Sequence, residues 1–307
     1  MDGFSGICLA RNLRVAVLAS KMAEATGHTN NHLGRRENRG DPKRPWKGRG
    51  GTTASPIARE RPTHFISIPL DHVVSFTTQV SQFTDTLLAA SPPITGLDRS
   101  IIISPNRLHL TLGVMNLTTE EHESRGPLAD SSQGGTDSKS SRKTVAEALA
   151  LLHSLKPYVE STLQGQPLQL CLDEFAVMKR SPSGEADVMY VGPTPGRPKA
   201  EEHTRSVDVI TNINKTFIEN GFITDTRPLK LHCTVINTSH RKTAQGGRTR
   251  RTPFSMSQIE EFLTQNPHTA GTLLSPEGLL SIRELNICRM GSRDKFGRYV
   301  KAGGIAW

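Results

Sequence analysis

Two short apolar runs with the same internal pattern place the strongest constraint on how this chain can fold. The first is Arg107-Leu-His-Leu-Thr-Leu-Gly-Val-Met115, and Leu229-Lys-Leu-His-Cys-Thr-Val-Ile236 is a near-copy of it. Successive side chains of a β-strand point to opposite faces, so residues two apart share a face. Each run therefore predicts a strand with an apolar core face and an opposite face that carries a His and a Thr. These pairs are His109 with Thr111 and His232 with Thr234.

A His-x-Thr pair is a weak signal alone, and its context strengthens it in this chain. The sequence contains 11 His, and only these two are followed by Thr at the second position. Taken singly, each pair is explained by a half-buried His bonded to its Thr neighbour. Two copies in strand-like runs favour a paired site that opens to water or to a ligand, because buried polar groups without partners are costly.

The rest of the chain alternates strand-like and helix-like segments that are separated by clusters of Pro, Gly and Ser. We predict helices at about 72–88 (with Asp71 as N-cap), 143–164, 200–220 and 256–265. We predict strands at about 64–70, 107–115, 167–178, 187–192, 230–238, 280–290 and 298–305. Two β–α–β stretches thus each deliver one His-x-Thr strand, which indicates an α+β fold with an internal duplication.

Further segments extend the pattern beyond the two motifs and carry a family resemblance. They are Thr63-His-Phe-Ile-Ser-Ile-Pro-Leu70, Leu155-Lys-Pro-Tyr-Val-Glu160 with Leu163-Gln-Gly165, Asn214-Lys-Thr-Phe217 before Gly221, and Leu285-Asn-Ile-Cys-Arg-Met290. Together with the motifs, residues 62–306 resemble the 2H phosphoesterase superfamily. More narrowly, they are similar to the 2′,5′ RNA ligase-like domain of A-kinase anchor protein gamma and activating signal cointegrator complex subunit 1.

The resemblance implies a duplicated, two-lobed fold with antiparallel sheets around a central groove and helices outside. His109 and His232 would face each other across that groove. The ordinary pKa of His is about 6.5, so a neutral His can take a proton from water or a 2′-hydroxyl while a protonated one donates to the leaving oxygen. Thr111 and Thr234 would bind the non-bridging phosphate oxygens. The motifs are symmetric and leave open which His is the base.

The expected activity is that of a metal-independent cyclic phosphodiesterase or 2′,5′-phosphodiesterase-like hydrolase. Its substrates would be RNA-type phosphodiesters, either 2′,3′-cyclic phosphates or 2′,5′-linked nucleotides. Phe65 and Arg107 are candidate substrate-binding residues by position, although Phe65 also suits the core. Leu231 and Cys233 stand where relatives often have Pro and Leu, and neither change removes a catalytic group. No acidic cluster or His/Cys spacing predicts a metal site, so we expect no metal and no cofactor.

The net charge of +9 is unevenly distributed along the chain. Nine Lys/Arg against three acids fall within residues 35–61, and five Lys/Arg with no acid fall within 239–252. We predict a disordered basic N-terminal extension over 1–61 and a phosphoesterase-like domain over 62–307, with disordered insertions at about 118–142 and 239–252. The basic segments either bind a polyanion such as RNA or only solubilise the chain. Residues 1–20 are either a weak organelle presequence or a poorly ordered terminus.

The four Cys lie far apart in the sequence, which indicates reduced thiols and a location in the nucleus or cytoplasm. No apolar run approaches the ~20 residues that a membrane-spanning helix needs, so we expect no membrane association. The expected protein is a monomer whose partners are an RNA or nucleotide substrate and a protein complex of the coregulator type.

Two alternatives to the enzyme remain. One is a non-catalytic RNA- or nucleotide-binding subunit of a nuclear transcription-coregulator or repair complex, which uses the same groove. The other is a nucleic-acid module driven by the basic segments, with the fold as a platform. Intact His and Thr in both motifs favour the enzyme, since binding alone would tolerate the loss of one His. Deletion of residues 1–62 distinguishes the last alternative, because an enzyme would keep turnover on small cyclic nucleotides.

Overall fold

The structure is a computed structural model, and it describes residues 61–118, 142–196, 198–241, 252–267, 269 and 279–307. Residues 60–307 form one compact unit. The predictions for residues 1–60, for nearly all of 118–142 and for most of 239–252 lie outside the described residues. The domain boundary near residue 62 therefore stays a prediction.

A seven-stranded antiparallel sheet forms the centre of the fold. The strands are β1 His64–Pro69, β2 His109–Met115, β3 Leu168–Leu170, β4 Glu174–Val177, β5 Glu185–Ala186, β6 Val188–Gly192, β7 Cys233–Asn237, β8 Phe254–Ser255, β9 Leu280–Ile282, β10 Glu284–Arg293 and β11 Tyr299–Ala306. The sheet has the order β11-β10-β1-β2-β7-β6-β4, while β3 pairs with β9 and β5 with β8. Since β2 and β7 are neighbours at the middle of this order, the two motif strands meet at the centre of the molecule.

Helices from each half of the chain pack against strands of the other half. They are α1 Val74–Leu88, α2 Val145–Ser154, α3 Lys156–Leu163, α4 Glu201–Glu219 and α5 Met256–Gln265. Phe83 of α1 stacks on Phe175 of β4 with ring centroids 4.1 Å apart. In the reverse direction, the Asn214 side chain of α4 donates to the Leu112 carbonyl of β2 over 2.7 Å. Mixed helix and antiparallel sheet confirm the predicted α+β class.

The period-two pattern of the motif strands is reproduced in the burial of their side chains. Leu110 pairs with Cys233 across β2 and β7, and both side chains are fully buried. The His and Thr of each motif are half-buried on the opposite face. Fully burying an aliphatic side chain stabilises the fold by about 1.5–3 kcal/mol, and a one-residue slip would turn every apolar side chain outward. The apolar faces therefore hold the register that exposes the histidines.

Several predicted element boundaries were wrong. Asp71 does not cap α1, because its carboxylate pairs with Arg298 over 2.9 Å and the helix begins at Val74. The helix predicted over 143–164 is two helices that join at Leu155, where the chain leaves α2 and Pro157 occupies the first turn of α3. The second motif strand begins at Cys233, one residue after His232.

Arg241 has a structural role at the base of the 239–252 segment. Its guanidinium pairs with the Asp98 carboxylate and donates to the carbonyls of Gly96 and Thr252, over 2.6 and 3.1 Å. The sequence-based hypothesis placed this Arg among five cations of a loop that binds a polyanion. Asp98 instead neutralises the charge of Arg241 in the fold. At most the other four Lys/Arg of residues 239–252 are therefore left to bind a polyanion.

Candidate active site

The four motif side chains lie together on one face of the sheet. Because Leu110 is paired with Cys233 in antiparallel register, the neighbouring residues pair on either side of it. His109 is thus placed beside Thr234, and His232 beside Thr111. Directly opposite residues project to the same face, so each strand offers its imidazole next to the hydroxyl of the other. The sheet generates a site with approximate two-fold symmetry.

His109 is oriented by its own backbone and by two aromatic rings. Its Nδ1–H donates to the Arg107 carbonyl over 2.7 Å. A carbonyl can only accept, so Nδ1 carries the proton and Nε2 is the atom left to exchange protons. The rings of Phe65 and Tyr299 each lie 5.1 Å from the imidazole, between centroids. These contacts hold the imidazole in place and leave Nε2 outside the bond to the Arg107 carbonyl.

His232 has a matching arrangement on the other side. Its Nδ1–H donates to the Lys230 carbonyl over 2.7 Å, again two residues earlier in the chain. The edge of the Tyr190 ring lies against the imidazole at 5.7 Å between centroids, and the Lys230 ammonium lies 4.5 Å from the centre of the same Tyr ring. Both histidines therefore share one tautomer and present Nε2.

Burial lowers the pKa of both histidines below the ordinary value. For His109 the Arg107 carbonyl opposes this effect, whereas the charges of His232 and Arg107 add to it. For His232 the Lys230 carbonyl likewise raises the pKa and the Lys230 ammonium lowers it. The neutral imidazoles are favoured in the unliganded site, and a phosphate anion between them would favour protonation of one.

The two threonine hydroxyls are available to a ligand. Neither Thr111 nor Thr234 makes a side-chain hydrogen bond to another residue in the part of the chain that the structure describes. The hypothesis that each His is merely satisfied by its Thr neighbour is therefore wrong, because the imidazoles bond to carbonyls instead. Two half-buried hydroxyls beside two imidazoles can donate to the non-bridging oxygens of a bound phosphate.

The two predicted substrate-binding residues occupy different environments. Phe65 is 2% exposed, so its ring supports His109 from below and does not open to a ligand. Arg107 is half-buried and borders the same cavity as His109. The structure thus leaves Arg107 in position to contact a substrate and assigns Phe65 to the packing beneath the site.

Sequence analysis missed Tyr190 and Tyr299, the rings that flank the two imidazoles, and also Asn286. Asn286 faces Ser67 across β1 and β10 and is 4% exposed. Its Nδ2 is buried without a hydrogen-bond partner among the described residues. Such an unsatisfied group costs about 1–3 kcal/mol. No local signal marks these residues, because they reach the site only through strand pairings between distant parts of the chain.

Cavities open on both sides of the histidines. One of about 300 Å³ is bordered by His109, Asn286 and Tyr299. Another of about 520 Å³ is bordered by Thr111, His232 and Arg227. Within the described ranges, no three His, Cys, Asp or Glu side chains converge to hold a metal ion, and no helix is long and apolar enough to cross a membrane.

Comparisons with known proteins give a family model and several solved structures. A family model described as the AKAP7 2′5′ RNA ligase-like domain matches residues 62–130 and 139–306. The chain is similar to E. coli LigT complexed with 3′-AMP at 15% identity, covering 80% of this chain and 98% of that one with a TM-score of 0.38. It is also similar to TT0787 of Thermus thermophilus at 15% identity, covering 80% and 97% with a TM-score of 0.37.

The family model covers most of the chain, and its two matched segments contain both His-x-Thr strands. The chain belongs to the family of AKAP7 2′,5′ RNA ligase-like domains.

Proposed function

We propose that this protein is a metal-independent phosphodiesterase that hydrolyses RNA-type phosphodiesters, either 2′,3′-cyclic phosphates or 2′,5′-linked nucleotides. The proposal rests chiefly on the matched surroundings of the two imidazoles. Both donate through Nδ1–H to a carbonyl two residues earlier, and the register of Leu110 with Cys233 sets each His opposite the Thr of the other strand. A binding site alone does not require two imidazoles in the same tautomer.

The reaction uses the two Nε2 atoms in opposite protonation states. The neutral imidazole removes a proton from water as the water oxygen attacks phosphorus. The protonated imidazole gives its proton to the ribose oxygen as the bond from phosphorus to that oxygen breaks. Each transfer contributes a rate factor of about 10²–10⁴. Proton count and charge balance: the pair stays singly protonated, with the proton now on the imidazole that acted as the base. The starting arrangement is restored when that imidazole releases its proton to solvent and the other takes one up.

Thr111 and Thr234 stabilise the charge that develops during this step. Attack by water increases the negative charge on the non-bridging oxygens, and a hydroxyl donor held beside them favours the transition state over the ground state. Since each Thr stands opposite the His of the other strand, the two donors flank the phosphate from both sides. The same symmetry allows either His to serve as the base, depending on which substrate oxygen leaves.

The decisive test is turnover of 2′,3′-cyclic nucleotides and 2′,5′-linked adenylates by the full chain in excess EDTA. We expect hydrolysis at the rate seen without EDTA. The position of the phosphate on the product identifies the bond cleaved, which is 2′ or 3′ from a cyclic phosphate and 2′ or 5′ from a 2′,5′ linkage. Activity that disappears in EDTA and returns with a divalent cation would contradict the metal-independent mechanism. Nucleotide binding without turnover on any substrate would support the non-catalytic alternative.

The pH dependence of the reaction follows from the lowered pKa values. Catalysis needs one protonated imidazole, and the pKa of both histidines in the free enzyme lies below the ordinary ~6.5. We expect kcat/KM to fall about tenfold per pH unit above this value, because the doubly neutral pair then dominates. The alkaline limb of kcat should lie at higher pH than that of kcat/KM, because the bound phosphate of the substrate stabilises the imidazolium.

Lys230→Gln tests whether the Lys230 ammonium contributes to the lowered pKa of His232. It removes the ammonium that lowers the pKa of His232 but leaves the Lys230 carbonyl bond, so the alkaline limb of kcat/KM should move to higher pH. A wild-type kcat/KM that stays constant between about pH 6 and pH 8.5 would exclude a protonated histidine as the acid.

A further inference from the structure

The hairpin that joins β10 to β11 forms one wall of the cavity beside His109. Asp294 and Arg298 of this hairpin border the cavity, and Tyr299 packs against the imidazole. The Asp294 carboxylate accepts hydrogen bonds from the backbone N–H groups of Phe296 and Arg298, over 2.8 and 2.9 Å. Asn106 donates to the Phe296 carbonyl over 2.8 Å. These bonds fix the hairpin tip beside the segment that leads into β2.

The tip presents an aromatic ring to solvent. Phe296 is 60% exposed, and the hydrogen bonds of Asp294 and Asn106 hold its turn in place. The Lys295 ammonium lies 5.0 Å from the ring centre, and the Arg298 guanidinium lies 6.0 Å from it. An exposed ring flanked by cations is the arrangement on which single-stranded nucleic acids stack their bases.

Further cations accompany this ring on the side of the histidines. Arg293 stands opposite Tyr299 in the hairpin, so it projects to the face on which Tyr299 contacts His109. In the described ranges, neither Arg293 nor Arg107 has a carboxylate within ion-pairing distance, whereas Arg298 pairs with Asp71 and Lys301 with Glu284.

These cations also repel one another. Burial lowers the pKa of both Arg107 and His240, and the charge of Arg293 lowers both further. The pKa of His240 is additionally lowered by Arg107. Arg107 and Arg293 thus form a cationic cluster beside a neutral His240, and an anion placed between the two guanidinium groups would relieve the repulsion.

The cavity between the cluster and the catalytic centre is also built for a polar ligand. Asn286 lies in its wall and has a buried Nδ2 donor without a partner among the described residues. A ribose or base oxygen is the kind of acceptor that this donor lacks.

We propose that the cavity, the cationic cluster and Phe296 form a strand-binding subsite for single-stranded oligonucleotides. One nucleotide occupies the cavity beside His109, the next phosphate binds at Arg107 and Arg293, and the following base stacks on Phe296. This inference rests on the proposed function for the position of the reacting phosphate. It deepens that function, because it makes oligonucleotides with at least one further phosphodiester the preferred substrates.

The test compares Arg293→Gln and Phe296→Ala with wild type on 2′,5′-linked adenylate dimers and tetramers and on 2′,3′-cyclic AMP. Both side chains are exposed, so the variants should fold. We expect kcat/KM for the tetramer to fall about tenfold more than that for 2′,3′-cyclic AMP, because only the tetramer reaches the subsite. Lys215→Gln, which removes an exposed cation from α4, is the matched control. It should leave kcat/KM unchanged for both the tetramer and 2′,3′-cyclic AMP.

Binding is measured separately by fluorescence anisotropy of a labelled tetramer on the His232→Ala protein, with and without each further substitution. Arg293→Gln should lower the affinity about tenfold and reduce the slope of log K against log salt by about 0.7, whereas Phe296→Ala should lower affinity without changing the slope. Equal losses for tetramer and cyclic mononucleotide, or no loss of tetramer affinity, would overturn the subsite while leaving the proposed function intact. Tetramer affinity that depends on Arg293, together with a wild-type protein that turns over none of these substrates, would support the subsite and contradict the proposed function.

Discussion

His109→Ala and His232→Ala should each lower kcat/KM for 2′,3′-cyclic nucleotides by about 10³–10⁴, near the upper range for loss of a general acid or base. Each substitution removes one of the two Nε2 atoms that exchange protons with the substrate. The double variant should be hardly worse than either single one, because groups that act in one concerted step are not additive. Initial rates on a chromogenic or chromatographically resolved cyclic nucleotide provide the measurement.

Other substitutions give this prediction its controls. Thr111→Val and Thr234→Val keep the shape of the site and remove one hydroxyl each, so a smaller loss of about 10² is expected. His153→Ala removes an exposed His from α2 and should have no effect. If either active-site His can be replaced with less than about a tenfold loss, the two-histidine mechanism is wrong for that substrate.

The sequence predicted the polar face of the site because that face depends on a local rule. Alternation along a strand places His109 with Thr111 and His232 with Thr234 whatever the rest of the chain does. The pairing of the two strands needed the internal duplication and the family resemblance in addition. The structure then shows why the register is unique: Leu110 and Cys233 meet in the core, and any slip would bury the histidines.

The surroundings of the histidines could not be predicted in this way. Tyr299 reaches His109 through β11, β10 and β1, and β1 lies far from the other two in the sequence. Asp71 has the sequence position of an N-cap, but its carboxylate is used by Arg298 from the opposite end of the chain. Capping propensity is a weak preference of about 1 kcal/mol, which interactions formed by the tertiary fold can override.

Asp173→Ala should lower the free energy of unfolding by about 3–5 kcal/mol, a large share of the stability of an ordinary domain. The Asp173 side chain is 3% exposed, and its carboxylate contacts the Lys199 ammonium at 2.6 Å, with Lys199 itself 12% exposed. It also accepts a hydrogen bond from the Thr194 backbone N–H over 2.7 Å. Without the carboxylate, a nearly buried ammonium and a backbone donor lose their partner. Urea unfolding followed by circular dichroism measures the loss.

The pair also makes a testable contribution to the pH dependence of stability. Burial alone would raise the pKa of Asp173, but the Lys199 and Thr194 interactions outweigh it and hold the pKa below the ordinary value. A lowered folded pKa means that the unfolded chain binds the proton more readily. The stabilisation by Asp173 is therefore complete above the pKa of about 3.9 that an Asp has in the unfolded chain. It is lost as the pH falls through the lower pKa that Asp173 has in the folded state.

The double variant Asp173→Leu with Lys199→Met separates the pair from its packing. Replacing both charges with apolar side chains of similar size should recover most of the loss, because buried ion pairs gain little over apolar contacts. Its unfolding free energy should also change less than that of wild type between about pH 5 and pH 3. Equal losses in the single and double variants would show that shape, not charge, holds this segment. Thr194 and Lys199 border the same cavity as Tyr190 and Lys230, and the Tyr190 ring contacts His232.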